Sequence, residues 1–242
     1  MTVPTALLSL LHRADGSAQF SQGGYTVVGA VNGPVEVQRR DELPEEAAIE
    51  VNVRPAVGVA SPRERHLESI IHAAVRHVIL TRNHPRTLIQ ITLQVISVPE
   101  DESLLRSSQC LSVLPSLLQA SILALLSASI PMSKTFNATS VAVLPGKLAV
   151  NPSPKEIAQA SSVHVLAFSS YGELMATESE GAFSIDEWDH VYEEAKQICY
   201  KENEADGDQK MDQDSAPQNL QGMVEKVIAE KVEKERKWKD SS

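Results

Sequence analysis

Apolar positions along this chain follow two different periods, and the changes of period predict the elements. Residues 5 to 60 alternate apolar and polar in the manner of strands. Ala18 and Phe20 lead to Gly23-Gly24, a tight-turn signal, and "YTVVGAVNGPVEV" follows with a second turn signal at Asn32-Gly33-Pro34. After the acidic loop "RRDELPEE", Ile49, Val51 and Val53 share one face of a further strand. The expectation for this region is an antiparallel meander.

The period then changes to that of a helix. Ser61-Pro62-Arg63-Glu64 is a capping box with proline in the first turn. Leu67, Ile70, Ile71, Ala74, Val75, Val78 and Ile79 continue it as a single apolar stripe, with Arg65, His72 and Arg76 off the stripe, and Asn83-His84-Pro85 as the stop. "TLIQITLQVISV" reads as a strand buried at Leu88, Ile89, Ile91, Leu93 and Val95. Leu114 to Ala128 is apolar nearly all round and predicts a buried central helix, in which Pro115 is comfortable only in the first turn. Pairs of strands are expected near 138–150 and 162–178. A last helix runs from about Ser184 to Tyr200, with Ser184 as N-cap and Glu187 at the third position. Phe183 and Trp188 are expected to anchor it on the sheet. Helices set among antiparallel strands, rather than after every strand, give an α+β fold with β-α-β layers around a buried central helix.

Composition changes this picture in three ways. Lys201 to Asn219 is rich in acids, Gly, Pro and Ser with no aromatic residue, and reads as a disordered acidic linker between a body at 1–200 and a tail at 220–242. In the tail, Met223, Val224, Val227, Ile228 and Val232 recur at helical spacing between Lys and Glu. It is either a solvated, frayed segment or an amphipathic helix that docks on a partner or on its own body. The net charge of -10 argues against a surface generally coated by nucleic acid and leaves room for a local basic patch. Two cysteines, Cys110 and Cys199, make neither a disulfide scaffold nor a thiolate metal site, and both read as structural. No metal site is expected: His72 and His77 are wrongly spaced for one helix face, and His84 reads as a turn residue. No cofactor motif is present. With no leader pattern and no apolar run of about eighteen residues, we expect no membrane association.

The ordered set "DGSAQFSQGGYTVVGAVNGPVEV", "RPAVGVASPRERHLESII", "NHPRTLIQITLQVIS" and "LALLSASIPM" resembles the RNase PH family, and within it the ring subunits of the eukaryotic exosome. The likeness covers about residues 5 to 200. It implies a ribosomal-protein-S5-like β-α-β fold and a hetero-hexameric ring of RNase PH-like subunits. It also implies S1/KH cap subunits, single-stranded RNA passing through the channel, an associated catalytic nuclease, and a place in nucleus, nucleolus and cytoplasm.

Active members cleave RNA 3' ends with inorganic phosphate. That brings two anions together, so the chemistry needs arginine, hydroxyl and N–H groups for phosphate and carboxylates for proton transfer or a metal. The resemblance implies a Gly-Gly-Thr-Arg-Thr sequence opening the buried helix; here the counterpart is either Ser112-Val113-Leu114 or Ser103-Leu104-Leu105, with Arg106 out of register. It also implies a run of aspartates before the strand at 162–168. Between Ser140 and Gly172 the only carboxylate is Glu156, Asn151 stands where many members have Asp, and Ala160 and Ser161 are neutral. An acid-poor stretch of this kind is, taken alone, an ordinary buried strand pair. Beside the resemblance it reads as lost catalysis, so no catalytic residue is expected. Arg63 and Arg65, at a helix N-terminus, are the candidate RNA contacts, against the plainer reading of a solvated, capped helix start. The contrary function is a homo-oligomeric nuclease or phosphorolytic enzyme with residual activity.

Overall fold

The computed structural model describes residues 4–100, 110–200 and 220–240. The linker expected at 201–219, and Ser103-Leu104-Leu105 with Arg106, lie outside the described residues.

The first sheet contains β1 (Thr5–Leu8), β2 (Gly16–Gln22), β3 (Tyr25–Glu36), β4 (Ala48–Arg54) and β5 (Thr87–Ser97), in the order β1-β2-β3-β5-β4. The first three strands form the expected antiparallel meander, with the β2–β3 turn at Gly23-Gly24. β4 departs from that expectation: it pairs with β5, in parallel. The capped helix α1 (Pro62–Arg76) supplies the crossover that a parallel pair requires. The turn read at Asn32-Gly33-Pro34 is not a turn. β3 runs through it with a register shift against β5 between Asn32 and Val35, and the Gly33 amide donates to Asp15 Oδ2 at 2.8 Å.

The register aligns rows of side chains across the sheet: Phe20, Val27 and Val95; then Ala18, Gly29, Leu93 and Val53; then Gly16, Val31, Ile91 and Val51. These rows face the core. Leu88, nearer the start of β5, points to the alternate face and is only partly buried, because a strand has period two. On this face lies α2 (Leu114–Ser127), buried at every residue except Leu126. Glycine at 16 and 29 lets α2 approach the strands at backbone distance.

The second sheet has the order β7-β6-β8-β9, all antiparallel, from β6 (Phe136–Leu144), β7 (Lys147–Val150), β8 (Ser162–Ser169) and β9 (Leu174–Gly181). β6 and β8 are buried along their whole length. α2 is tied to this sheet by a polar relay: Gln119 Nε2 donates to Asn137 Oδ1 at 2.9 Å, and Asn137 Nδ2 donates to the Cys199 carbonyl at 3.3 Å. The relay ends on α4 (Ile185–Cys199), whose N-cap Ser184 and third residue Glu187 bond reciprocally as read from sequence. Phe183 and Trp188 pack by their ring edges on the fully buried His164 of β8.

Two further differences have local causes. α1 ends at Arg76, so Val78 and Ile79 stay buried but follow the helix, in a turn leading to a short 3-10 segment at Thr81–Asn83. A short helix, α3 (Pro154–Gln159), occupies the stretch read only as acid-poor. The tail forms α5 (Leu220–Asp240), with Leu220, Met223 and Val224 buried against the body, and Lys231 Nζ donating to the Ser127 carbonyl at 2.9 Å. Of the two alternatives for the tail, a helix docked on its own chain is the one observed.

Candidate functional site

The start of the buried helix, the β2–β3 turn, β6 and the β7–α3 connection meet at one surface cleft. Its walls are Gln22, Gly23, Tyr25, Ser112, Pro115, Ser116, Ser140, Asn151 and Pro152. The structure therefore brings together the two stretches compared with the active family pattern: Ser112 before the helix and Asn151 before α3. Of the two sequence alternatives, Ser112-Val113-Leu114 is the one within the described residues.

Each wall has a local cause. The Gly23-Gly24 turn, both residues at positive φ, brings Gln22 and Tyr25 to the sheet end. The Tyr25 hydroxyl donates to Ser112 Oγ at 2.9 Å, closing the side of the cleft nearest the helix start. α2 begins at Leu114 without a side-chain cap, because Val113 holds the N-cap position, and no acid stands in its first turn. Its first N–H groups therefore keep the positive partial charge of a helix N-terminus. Asn151 takes φ 48°, a left-handed conformation that asparagine tolerates better than most residues. Its amide N–H donates to the Ser140 carbonyl at 2.8 Å, and its Oδ1 accepts from Thr139 at 3.1 Å.

Every described side chain in this wall is uncharged. The free room is about 20 Å³, the space of a single water. Glu156 is engaged in local structure. It sits at the third position of α3, where the Ser153 N–H and hydroxyl each donate to Glu156 Oε2 at 2.9 Å. Those two bonds, the backbone one first, hold its carboxyl below the usual range. Ala160 and Ser161 lie beyond the C-terminal end of α3, with Ser161 Oγ donating to the Val143 carbonyl at 3.0 Å. Sequence reasoning singled out none of Gln22, Tyr25, Ser116 and Ser140, although the first two lie within the quoted stretch around Gly23-Gly24. The Gly-Gly turn was the signal that could have drawn attention to the first two.

Arg63 and Arg65 both lie in the first turn of α1 but do not share a face. At 3.6 residues per turn, Arg63 sits about 160° around the axis from Arg65; it is half-buried while Arg65 is exposed. Their neighbour Glu64 closes the capping box. Burial disfavours its charge, but the bonds from the Ser61 hydroxyl and N–H outweigh burial and hold its carboxyl low. No group of His, Cys, Asp and Glu fit to hold a metal occurs among the described residues.

Residues 5–131 match the family model described as the 3' exoribonuclease family, domain 1, RNase PH. The exosome complex component RRP46 of Saccharomyces cerevisiae is 33% identical over 205 residues, covering 80% of this chain and 89% of that protein. The Schizosaccharomyces pombe exosome complex component rrp46 is 36% identical over 125 residues, 52% of this chain and 51% of that protein. Among solved structures, rice (Oryza sativa) Rrp46 superposes with a TM-score of 0.70 at 28% identity, covering 79% of this chain and 86% of that one. The Archaeoglobus fulgidus exosome with RNA bound to the active site superposes at 0.63 and 16% identity, over 81% of this chain and 84% of that one, a likeness of fold. The two-sheet α+β architecture around a buried helix is thus an RNase PH-like fold, and the chain belongs to the RNase PH family.

Proposed function

We propose that this chain is a non-catalytic subunit of an exosome core ring, one that holds the ring together and lines the RNA channel while a separate nuclease degrades or processes RNA from its 3' end. The observation that carries the loss of catalysis is the neutral cleft at the start of α2. Phosphorolysis must hold a phosphate and an RNA phosphodiester side by side, which requires fixed positive charge and an acid. The described wall offers hydroxyls, two carboxamides and a helix N-terminus, and no charged side chain. The Tyr25 hydroxyl, one of those groups, donates to Ser112 Oγ.

The same reading supplies the partners: other RNase PH-like subunits in a hetero-hexameric ring, S1/KH cap subunits, single-stranded RNA and an associated nuclease. It places the chain in nucleus and nucleolus, and also in cytoplasm. It treats residues 1–200 as the ring domain, 201–219 as an acidic linker and 220–242 as a tail helix. Arg63 and Arg65, on opposite sides of the capped start of α1, are its RNA contacts.

The test supplies the purified chain with inorganic phosphate and single-stranded RNA and looks for nucleoside diphosphates. None is expected, and phosphate-dependent release would overturn the non-catalytic reading. A pull-down on the native chain is expected to recover several RNase PH-like proteins; recovery of this chain alone, self-associated, would overturn the ring reading. In the assembled complex, replacing Arg63 and Arg65 with Glu should weaken RNA protection, and unchanged protection removes them as contacts.

A further inference from the structure

The outer face of α1 has a composition unlike the rest of this acidic chain. Arg65, Ser69, His72 and Arg76 fall at helical steps of four, three and four, and therefore line up along one edge of the helix. His66, Ala73 and His77 form the adjoining row. Of these seven residues only His72 is partly buried; the others are exposed. The face carries two guanidinium groups and three imidazoles, and no acid.

The absence of acid on this face has a structural origin. The two carboxylates of α1 are both bound to backbone elsewhere: Glu64 accepts from the Ser61 N–H at 2.7 Å, and Glu68 accepts from the Val53 N–H of β4 at 2.8 Å. Glu64 lies on the flank nearer the core; Glu68, three residues from Arg65 and four from His72, borders the Arg65–Arg76 line on the side opposite His66 and His77, with its carboxylate turned to β4. Among the described residues, the carboxylate that pairs with the row comes from outside the helix: Glu46, 3.0 Å from Arg76, in a pair whose arginine side chain remains 58% exposed. Arg65 pairs with no carboxylate among the described residues.

We infer that this outer face of α1, from Arg65 to His77, is a binding track for single-stranded RNA, extending well beyond the start of the helix. The chemistry selects RNA over an acidic protein segment. A protein interface is centred on large apolar or aromatic anchors, and this face has only Ala73 at its middle. Guanidinium and imidazole planes are the groups on which unstacked bases lie, while arginine holds phosphate. The line from Arg65 to Arg76 is about 16 Å long, enough for several nucleotides. The inference rests on the reading of the chain as an RNA-handling ring subunit.

The experiment uses the full chain, alone and in its native complex, with a labelled single-stranded oligouridylate as probe. The R76Q/H77A variant lies at the far end of the face and leaves Arg63 and Arg65 intact. Losing one phosphate contact should weaken binding about fivefold at 0.1 M salt and reduce the log–log salt slope by about 0.7; loss of base stacking adds to the first figure. K226Q/K234Q on α5 removes two exposed charges elsewhere and should leave binding within about twofold, as expected of charges outside the track. Unchanged affinity in R76Q/H77A, with normal incorporation into the complex, overturns the track and leaves the ring reading standing. Equal weakening by the α5 control overturns it too, by showing that only net charge matters. Failure of R76Q/H77A to enter the complex, with its thermal unfolding unchanged, would make the face a protein interface and overturn the inference as well.

Discussion

Substituting Gly16 by alanine tests the closest backbone contact in the fold. Gly16 begins β2 at the point where the C-terminal end of α2 crosses the sheet. A Cβ there would stand 2.2 Å from the Ala128 amide nitrogen, 2.5 Å from Ala128 Cβ and 2.6 Å from the Ala124 carbonyl oxygen. Two of these three atoms are backbone, so no side-chain rotation relieves them, and the helix end has to move by about 1 Å to restore van der Waals contact. Overpacking a core by one methyl costs about 1–3 kcal/mol. A clash against helix backbone belongs at the top of that range, which for a body of this size lowers Tm by about 6–12 °C. Gly29 provides the graded comparison: its added Cβ meets the Ala120 carbonyl oxygen at 3.0 Å and the Ala124 Cβ at 3.2 Å. G29A should therefore cost about 1 kcal/mol, near the bottom of the same range. Thermal unfolding followed by circular dichroism measures both. A G16A protein within about 2 °C of the parent, or one more stable than G29A, would refute the claim that glycine is needed here for helix–sheet approach.

Three further outcomes are expected. Removing the Glu68 carboxylate with E68A leaves the buried Val53 N–H unbonded and should cost about 2 kcal/mol; E68Q should recover part of this, and a lower urea midpoint at unchanged m-value is the measurement. Burial pushes the His164 imidazole below its ordinary value, opposed in part by Glu187, while its two ring nitrogens pair with Ser179 Oγ at 2.8 Å and Ser162 Oγ at 2.9 Å. The unfolded chain then binds a proton that the folded chain does not. This contribution to stability is complete above the unfolded value near 6.5 and falls away as pH drops below it; H164N should flatten the stability–pH curve on the acid side of about pH 6.5. Burial likewise pushes the Cys199 thiol far up, so peptide mapping after a short treatment with a thiol-alkylating reagent should find Cys199 unmodified in the native protein and modified after unfolding.

How much of the fold could be read from the sequence depended on whether a signal was local. The caps of α1 and α4 are written in four consecutive residues each, and Ser61 and Ser184 bond as those residues dictate. The run at 114–128, apolar nearly all round, reads as a buried helix. Pairing partners are a different matter. β4 and β3 alternate in the same way, and nothing local distinguishes a strand that continues the meander from one that crosses over and lies parallel to β5. That choice is made by α1, which must bury its stripe against the core while feeding β5 on the same sheet. Asn32-Gly33-Pro34 misled for a related reason: the residues that make a turn also make a strand irregularity, and the ladder on both sides decided between them. α3 was passed over although Ser153-Pro154-Lys155-Glu156 repeats the capping box of α1, because at six residues it carries no periodic stripe to notice.

The site was legible as a set of absences before it was legible as a place. Ser112 and Asn151 stand 39 residues apart in the chain, and only the packing of α2 between the two sheets brings them into one wall. The residues that complete that wall, Gln22, Tyr25, Ser116 and Ser140, are common polar types whose roles come entirely from position. The basic face of α1 shows the opposite relation. Its residues are consecutive helical steps, so the sequence already contained it, but attention fell on Arg63 and Arg65 as neighbours in the chain. Helix geometry separates those two and joins Arg65 instead to Ser69, His72 and Arg76. What makes the face functional is where the acids went: Glu64 and Glu68 satisfy backbone amides, at Ser61 and at the outer edge of β4. Two carboxylates are thereby committed to backbone amides, and the same hydrogen bonds that hold α1 in place leave Arg65 without a carboxylate partner among the described residues, while Arg76 is met by Glu46 from outside the helix.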